Sequence, residues 1–465
     1  MMFSNFERRH FFKLVLFAGL AILLLVLPIS TQASATKLSD VQRTMLLNKP
    51  GVVFISHYDS ADLIIQTSAG YPQLTGKTYS VQLGFLGSGF VISPDGYIIT
   101  NGHVVKTPEK QLAFQALETA SNDIVKDIIR AEFQKQGVDP TDAQVEALVP
   151  QVIQQLGGAD KLIQTLYQSY QSGEVKLDNI KTDIYIQQGA FVSGKKIPIA
   201  KGMKADIRAV DFDGFTDQGE VKGKDIAILK VTASNMPTVV LGDSSKVQVG
   251  DKVYAVGYPG AVTFQEFLSK ESQLEATMTS GIISSLKTMT DGSQVLQTDA
   301  AITHGNSGGP AFNEKGEVIG IASMGTVDQS GKEQPGFNYL RPINVAKEFI
   351  NEKNIKNTQG LTDEHFRKGV DYYEAGKYHK AITEFQTAVQ LYPNLIEAQD
   401  YIKKSQEGIS QQNIWEKIVD YADVTTVSIS IVVLLIIAAV IFYIRKISRK
   451  EKKMEAKVEA LSHDK

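Results

Sequence analysis

The sequence predicts a mainly β domain of barrel or sandwich type, interrupted by a helical insertion and followed by an α-helical repeat segment and one transmembrane helix. Short apolar, β-branched runs recur between Gly, Pro and Asp turns, as in "YSVQLGFLGSGFVIS", the "SPDG" turn and "YIITNGHVV". Such spacing favours an all-β architecture over βαβ units. Between these runs, residues 108–180 switch to helical spacing, and beyond Asn354 helical text continues to a long uncharged apolar run.

At the N-terminus, Arg8, Arg9 and Lys13 precede or enter an apolar stretch from Leu14 to Leu27, followed by Pro28 and the small triplet Ala33-Ser34-Ala35. Residues 1–35 thus have the layout of a secretory signal peptide, with an uncleaved anchor as the other reading. Either one carries the domain beyond it out of the cytoplasm. The 465 residues are 43% hydrophobic, enough for ordinary buried cores in two or three domains. A net charge of -3 gives no ground for a nucleic-acid partner, and zero cysteines exclude disulfides, thiolate catalysis and Cys-ligated zinc.

Strand-like text runs from Gly51 to Lys106 and resumes at about Thr182 with "DIYIQQG", "KADIRAVDF", "DIAILKV", "DKVYAVGYPG", "TSGIISSL", "VLQTDAA" and "AFNEKGEVIGIAS". In the insertion, "TPEKQLAFQALETASNDIVKDIIRAEFQKQG" opens on Thr-Pro, places Leu117, Ile124 and Ile128 at helical spacing and stops at Gly137. Two further helices end at Gly157-Gly158, with Pro150 as a break or kink, and near Gly173.

In residues 361–412, Gly369, Tyr372, Ala381, Phe385, Ala388 and Pro393 follow the order and spacing of a tetratricopeptide repeat. Small residues let paired helices approach while the aromatics fill the gap. One repeat and a following helix are visible, so the unit needs a neighbour to lean on. Residues 424–444, "VTTVSISIVVLLIIAAVIFYI", carry no charge and match a bilayer-spanning helix in length. Tyr421 and Tyr443 flank the run, and "RKISRKEKK" follows, which makes residues 445–465 a cytoplasmic tail and turns the preceding region outward.

"THGNSGGPAF" sets Ser307 among glycines. A serine elbow of the α/β-hydrolase kind needs its acid and histidine after the serine, and the later His365 and His379 lie in the repeat. Upstream, "TNGHVV" places His103 just past a strand and "DIAILK" places Asp225 at the head of another, giving the chymotrypsin-type order of His, Asp, Ser. In that arrangement His103 takes the proton of Ser307 and Asp225 holds the imidazole tautomer, while the N–H groups of Gly305 and Ser307 form an oxyanion hole. The oxygen-rich "DFDGFTDQGE" lacks EF-hand spacing and reads as an acidic hairpin loop, so no metal or cofactor is expected. His304 only lines its loop, and His57 in "SHYDS" has no matching partner in this reading.

"GSGFVISPDGYIITNGHVV", "DIAILKV", "LGDSSKVQVGDKVYAVGYPG", "TSGIIS" and "QTDAAITHGNSGGPAFNEKGEVIGI" together resemble the HtrA, or DegP-like, branch of trypsin-like serine proteases. The resemblance covers about residues 50–350 apart from the insertion, which places the protease domain at residues 50–355. It implies two six-stranded β-barrels with His103, Asp225 and Ser307 in the cleft between them. It also implies a substrate pocket at Ala301 and Ile321 to Ser323 that takes a small aliphatic residue before the cut, since Ala301 stands where an aspartate would select Arg or Lys. The neutral Asn306 before the nucleophile removes the charge pair that activates digestive relatives, so control falls to loop rearrangement. The PDZ domain usual in the family has no counterpart here, and the insertion just after His103 is expected beside the cleft as a lid, a partner surface or a tolerated addition.

The expected protein is a single-pass, extracytoplasmic serine endopeptidase acting on misfolded or specific envelope proteins. Its partners would be peptide substrates, the membrane, a protein bound to the repeat and further copies of itself. The alternative is a membrane-anchored binding or chaperone-like module in which proteolysis is secondary.

Overall fold

Six antiparallel strands, β1 (Val52–Ile65), β2 (Thr78–Val91), β3 (Tyr97–Thr100), β4 (Val175–Gln187), β5 (Met203–Asp211) and β6 (Ile226–Val231), close into a barrel in the order β1-β2-β3-β6-β5-β4. The computed structural model describes residues 37–188, 202–216, 221–260, 275–327, 333–413, 420 and 424–462. The signal-peptide segment, residues 1–35, lies outside the described residues.

The next strands are β7 (Val240–Leu241), β8 (Lys252–Gly257), β9 (Thr277–Thr288), β10 (Gln294–Thr298), β11 (Pro310–Phe312), β12 (Glu317–Val327) and β13 (Glu333–Pro342). Because β11 pairs with both β8 and β12, the ring β8-β9-β10-β13-β12-β11 closes as a second six-stranded barrel, and β7 adds to β12 in parallel. One apolar core joins the two barrels: Phe54, Phe90 and Ile226 of the first pack with Tyr254, Phe312 and Ile321 of the second. The interior of the second barrel is a separate core containing Val253, Ile283, Leu296 and Leu340.

Helices fill the remaining segments. α1 (Asp40–Asn48) starts at a capping box in which Ser39 and Gln42 satisfy each other's backbone N–H. The single turn α2 (Gly102–Val105) carries His103. The insertion is a bundle of α3 (Glu109–Lys135), α4 (Asp142–Gln155) and α5 (Ala159–Gln171), in which α4 runs through Pro150 without ending. Its internal core includes Val125, Ile129, Val145 and Leu162. The expected boundary at residue 180 needs correction: β4 begins at Val175 and pairs with β1 from Ile65 onward, so the helical part ends before the strand. Ala116, Leu117 and Ile124 of α3 pack on Leu63, Val81 and Val175, which lie at the far ends of β1, β2 and β4.

After α6 (Ile343–Glu352) come α7 (Leu361–Glu374), α8 (Tyr378–Leu391) and α9 (Ile396–Gln411). The described residues fall into two compact units: Ser39–Phe366 with Thr387–Ala398, which contains both barrels, and a second made of Arg367–Gln386 with the residues up to Leu38 and from Gln399 on. In the second unit a Cβ on Gly369 would stand 2.5 Å from the Phe385 ring, so a glycine is what admits that aromatic. Phe385 also meets the Tyr401 ring at 5.8 Å.

The last helix, α10, spans Val424–Ser462 and contains the expected membrane segment, whose side chains as far as Ile431 lie outside the described residues. Among the described residues no helix is long and apolar enough to cross a membrane.

Candidate active site

Ser307 sits in a turn that feeds β11, and the turn is clamped from the first barrel. The buried Ser88 of β2 donates its hydroxyl to the Gly305 carbonyl at 2.7 Å and accepts the Tyr258 N–H at 2.9 Å. Its own N–H donates to the Ser307 carbonyl at 2.8 Å, and its carbonyl accepts the Thr100 hydroxyl at 2.7 Å. The turn demands glycine at two places. Gly305 and Gly308 have φ of 98° and 85°, and a Cβ on Gly308 would lie 2.1 Å from the Thr100 hydroxyl.

His103 and Asp225 come together as expected. His103 Nδ1 lies 3.0 Å from each oxygen of the Asp225 carboxylate, and the His103 backbone N–H donates to Oδ1 at 3.0 Å. A carboxylate only accepts, so Nδ1 carries the proton and a neutral ring leaves Nε2 as the acceptor. Asp225 is fully buried and adopts a left-handed φ of 55°, a conformation that Asp tolerates better than most residues. Asn101 fixes its backbone by donating from Nδ2 to the Asp225 carbonyl at 2.9 Å. Burial pushes the Asp225 carboxyl up, but the His103 charge and bonds and the Ser323 hydroxyl outweigh it, so it is held below its ordinary value of 3.8.

Ser323 connects the nucleophile to this pair. Its hydroxyl donates to Asp225 Oδ2 at 2.7 Å, while its carbonyl accepts the Ser307 hydroxyl at 3.3 Å. The Ser307 proton is therefore directed at Ser323 in this structure. The His304 carbonyl accepts the Gly260 N–H at 2.8 Å, which turns the N–H of the same planar peptide, that of Gly305, to the opposite side. Asn306 is buried, its Oδ1 has no hydrogen-bond partner among the described residues, and its N–H donates to the Thr303 carbonyl at 3.0 Å.

The expected pocket residues do not form one wall. Ala301 is exposed, and its carbonyl accepts the Thr279 hydroxyl at 2.8 Å. Ile321 and Ala322, however, are buried in the core between the barrels and in the second barrel's interior, respectively. Successive side chains of a strand point to opposite faces, and both faces of β12 are covered here. These two residues back the site from within the cores, and Ser323 is turned to Asp225.

Sequence reasoning missed Ser88, Asn101 and the orienting role of Ser323. It also missed two rings beside the histidine: Phe212 and Phe215 stand 6.1 and 6.4 Å from the His103 ring, delivered by the acidic loop, of which residues 217–220 lie outside the described residues. His57 requires a correction. It has partners, for Nε2 lies 3.0 Å from Asp59 Oδ1 and Nδ1 lies 3.1 Å from the Val104 carbonyl. Asp59 stands two residues later in the same strand, on the same face, which the period of two could have revealed.

Comparison with known proteins bears on part of this region. Residues 181–321 match the trypsin-like peptidase domain. A separate match places a tetratricopeptide repeat at residues 362–395. The chain is similar to a probable periplasmic serine endoprotease DegP-like of Halomonas elongata, 41% identical over 176 residues, or 37% of this chain and 32% of that protein. A probable periplasmic serine endoprotease DegP-like of Pseudomonas putida is 38% identical over 30% of this chain and 28% of its own length. The serine protease Do-like HtrB of Bacillus subtilis is 34% identical over 34% of this chain and 40% of its own. The chain thus spans between about a quarter and two fifths of the length of these relatives. The solved HtrA-type protease AlgW with decapeptide aligns over 68% of this chain at 20% identity and a TM-score of 0.35, too low to carry an argument. The trypsin-like match covers residues 181–321, and these relatives bear the names of serine proteases or endoproteases.

Proposed function

We propose that the chain is a membrane-anchored, extracytoplasmic serine endopeptidase of HtrA type that hydrolyses peptide bonds in misfolded or specific envelope proteins. The observation that carries this reading is the connected set Ser307, Ser323, Asp225 and His103, in which the Asp225 carboxylate already holds His103 Nδ1 at 3.0 Å. Rotation of the Ser307 hydroxyl from the Ser323 carbonyl to His103 Nε2 completes the triad. Ser307 Oγ then attacks the substrate carbonyl as Nε2 takes its proton, and Asp225 stabilises the resulting imidazolium. The oxyanion is received by the N–H groups of Gly305 and Ser307. Collapse expels the amine with the proton from His103, and water, activated in turn by His103, releases the acyl group.

The neutral Asn306 supports control by loop rearrangement, since no charge at that position calls for a newly cut N-terminus. Ala301 supports a preference for a small aliphatic residue before the cut. Membrane anchoring rests on the apolar run of residues 424–444 and its basic flank. The tetratricopeptide match favours a second role, recruitment of a protein partner by the repeat.

Labelling of the full chain by a serine-directed fluorophosphonate, with casein cleavage alongside, tests the enzyme reading. We expect both signals in the native chain and neither in Ser307→Ala.

A further inference from the structure

The buried pair His57–Asp59 lies behind the helical turn that bears His103, and the triad mechanism does not use it. His57 is 0% exposed and Asp59 2%. The ring of His57 packs on Phe85 with centroids 5.2 Å apart. Both ring nitrogens face acceptors, Nδ1 the Val104 carbonyl at 3.1 Å and Nε2 the Asp59 carboxylate at 3.0 Å. Asp59 Oδ1 also accepts the Thr182 hydroxyl at 2.6 Å, as an ionised carboxylate does. An N–H at Nδ1 satisfies the Val104 carbonyl, while the Asp59 carboxylate fixes the other edge of the ring.

The Val104 carbonyl needs that donor for a reason written in the sequence. In a helix it would accept the N–H four residues on, but that residue is Pro108, which has none. His57 supplies the missing donor at the C-terminal end of the turn. The same turn is tied on its other side by the His103 N–H to Asp225. A Cβ on Gly87 would meet Val104 Cγ1 at 2.4 Å, so β2 leaves the turn no slack on that side.

We propose that His57, oriented by Asp59, is a positioning residue that holds α2 through the Val104 carbonyl and so sets the His103 ring against Ser307. This rests on the peptidase reading. Two variants separate positioning from mere support. His57→Gln keeps a donor for Asp59 and loses the one for Val104, whereas the double variant His57→Asn, Asp59→Asn keeps a donor at the Nδ1 position and removes the carboxylate. Rates are measured on the full chain per Ser307 labelled by fluorophosphonate, and ring-15N spectra of the histidines are recorded in parallel.

Displacement of a catalytic ring costs rate steeply, so we expect kcat to fall about tenfold or more in His57→Gln with KM within about twofold, and the His103 ring signals to shift. The double variant recovers most of kcat despite a lower melting temperature. Equal kcat per labelled site in His57→Gln and the native chain, with unshifted His103 signals, overturns the proposal and leaves the peptidase reading intact. Absence of Ser307 labelling in the native chain overturns the peptidase reading, and the His103 ring signals then decide the positioning by themselves.

Discussion

At the residue scale, the site is held by small polar side chains whose loss leaves buried groups unpaired. Ser88 satisfies four backbone and side-chain groups around the Ser307 turn. Removing its hydroxyl strands the Gly305 carbonyl and the Tyr258 N–H, so Ser88→Ala should lower stability by about 1–3 kcal/mol and reduce kcat, checked by urea unfolding and peptide turnover. Asp59 gives a pH-dependent counterpart. Burial raises its carboxyl, but the His57 bond and charge and the threonine hydroxyls outweigh that and hold it below its ordinary 3.8. A lowered carboxyl contributes stability that is present above the unfolded value and lost as pH falls through the folded one. Asp59→Asn should therefore be less stable than the native chain at neutral pH, by about 3 kcal/mol. The gap should narrow as unfolding is followed below pH 3.8. His103, Asp225 and Ser307 were legible because each stands at a strand end or in a glycine turn whose chemistry is local. Ser88 and Asn101 were not, because their partners lie more than a hundred residues away. His57 was misread because one of its two partners is a backbone carbonyl, which no residue pattern announces.

At the element scale, the insertion docks away from the nucleophile. Its apolar contact with β2 is at Val81, while Ser88 holds Ser307 seven residues along the same strand, about 23 Å by strand rise. This placement weighs against a lid. Replacing residues 109–173 with a short glycine-rich link should leave turnover of a small peptide within about threefold, while exposure of Leu63, Val81 and Val175 lowers the melting temperature by several degrees. A loss of turnover beyond about tenfold in a folded variant would make the bundle part of the site. The helices themselves were legible from spacing and from their stops at Gly137, Gly157 and Gly173. The start of β4 was not, because the middle of that strand, from Asp178 to Lys181, is exposed and, Ile180 apart, polar, and reads as loop. Which side chains of β12 look inward was not legible for a related reason: a strand covered on both faces shows no alternation to tell its two sides apart.

At the scale of the whole molecule, regular strand spacing announced an all-β architecture, the family resemblance implied two barrels, and the structure adds how each closes. The pairing of β11 with β8, far earlier in the chain, closes the ring that the local β11–β12 hairpin leaves open, and no local pattern encodes so distant a partner. The repeat was legible because its glycine, alanine and aromatic positions recur at fixed offsets, and it is matched at residues 362–395. Anchoring is a separate expectation with its own measurement: removal of residues 424–444 should move the chain from the membrane to the soluble fraction, and its retention in the membrane would place the anchor elsewhere.

The central claim is that Ser307 is a nucleophile activated by His103 and Asp225. Fluorophosphonate labelling of the full chain tests it most directly, with Ser307→Ala, His103→Ala and Asp225→Asn measured beside it. We predict labelling in the native chain, none in Ser307→Ala, and rates lowered by about a hundredfold or more in the other two. Labelling that persists in Ser307→Ala, or that is indifferent to His103 and Asp225, would contradict the account.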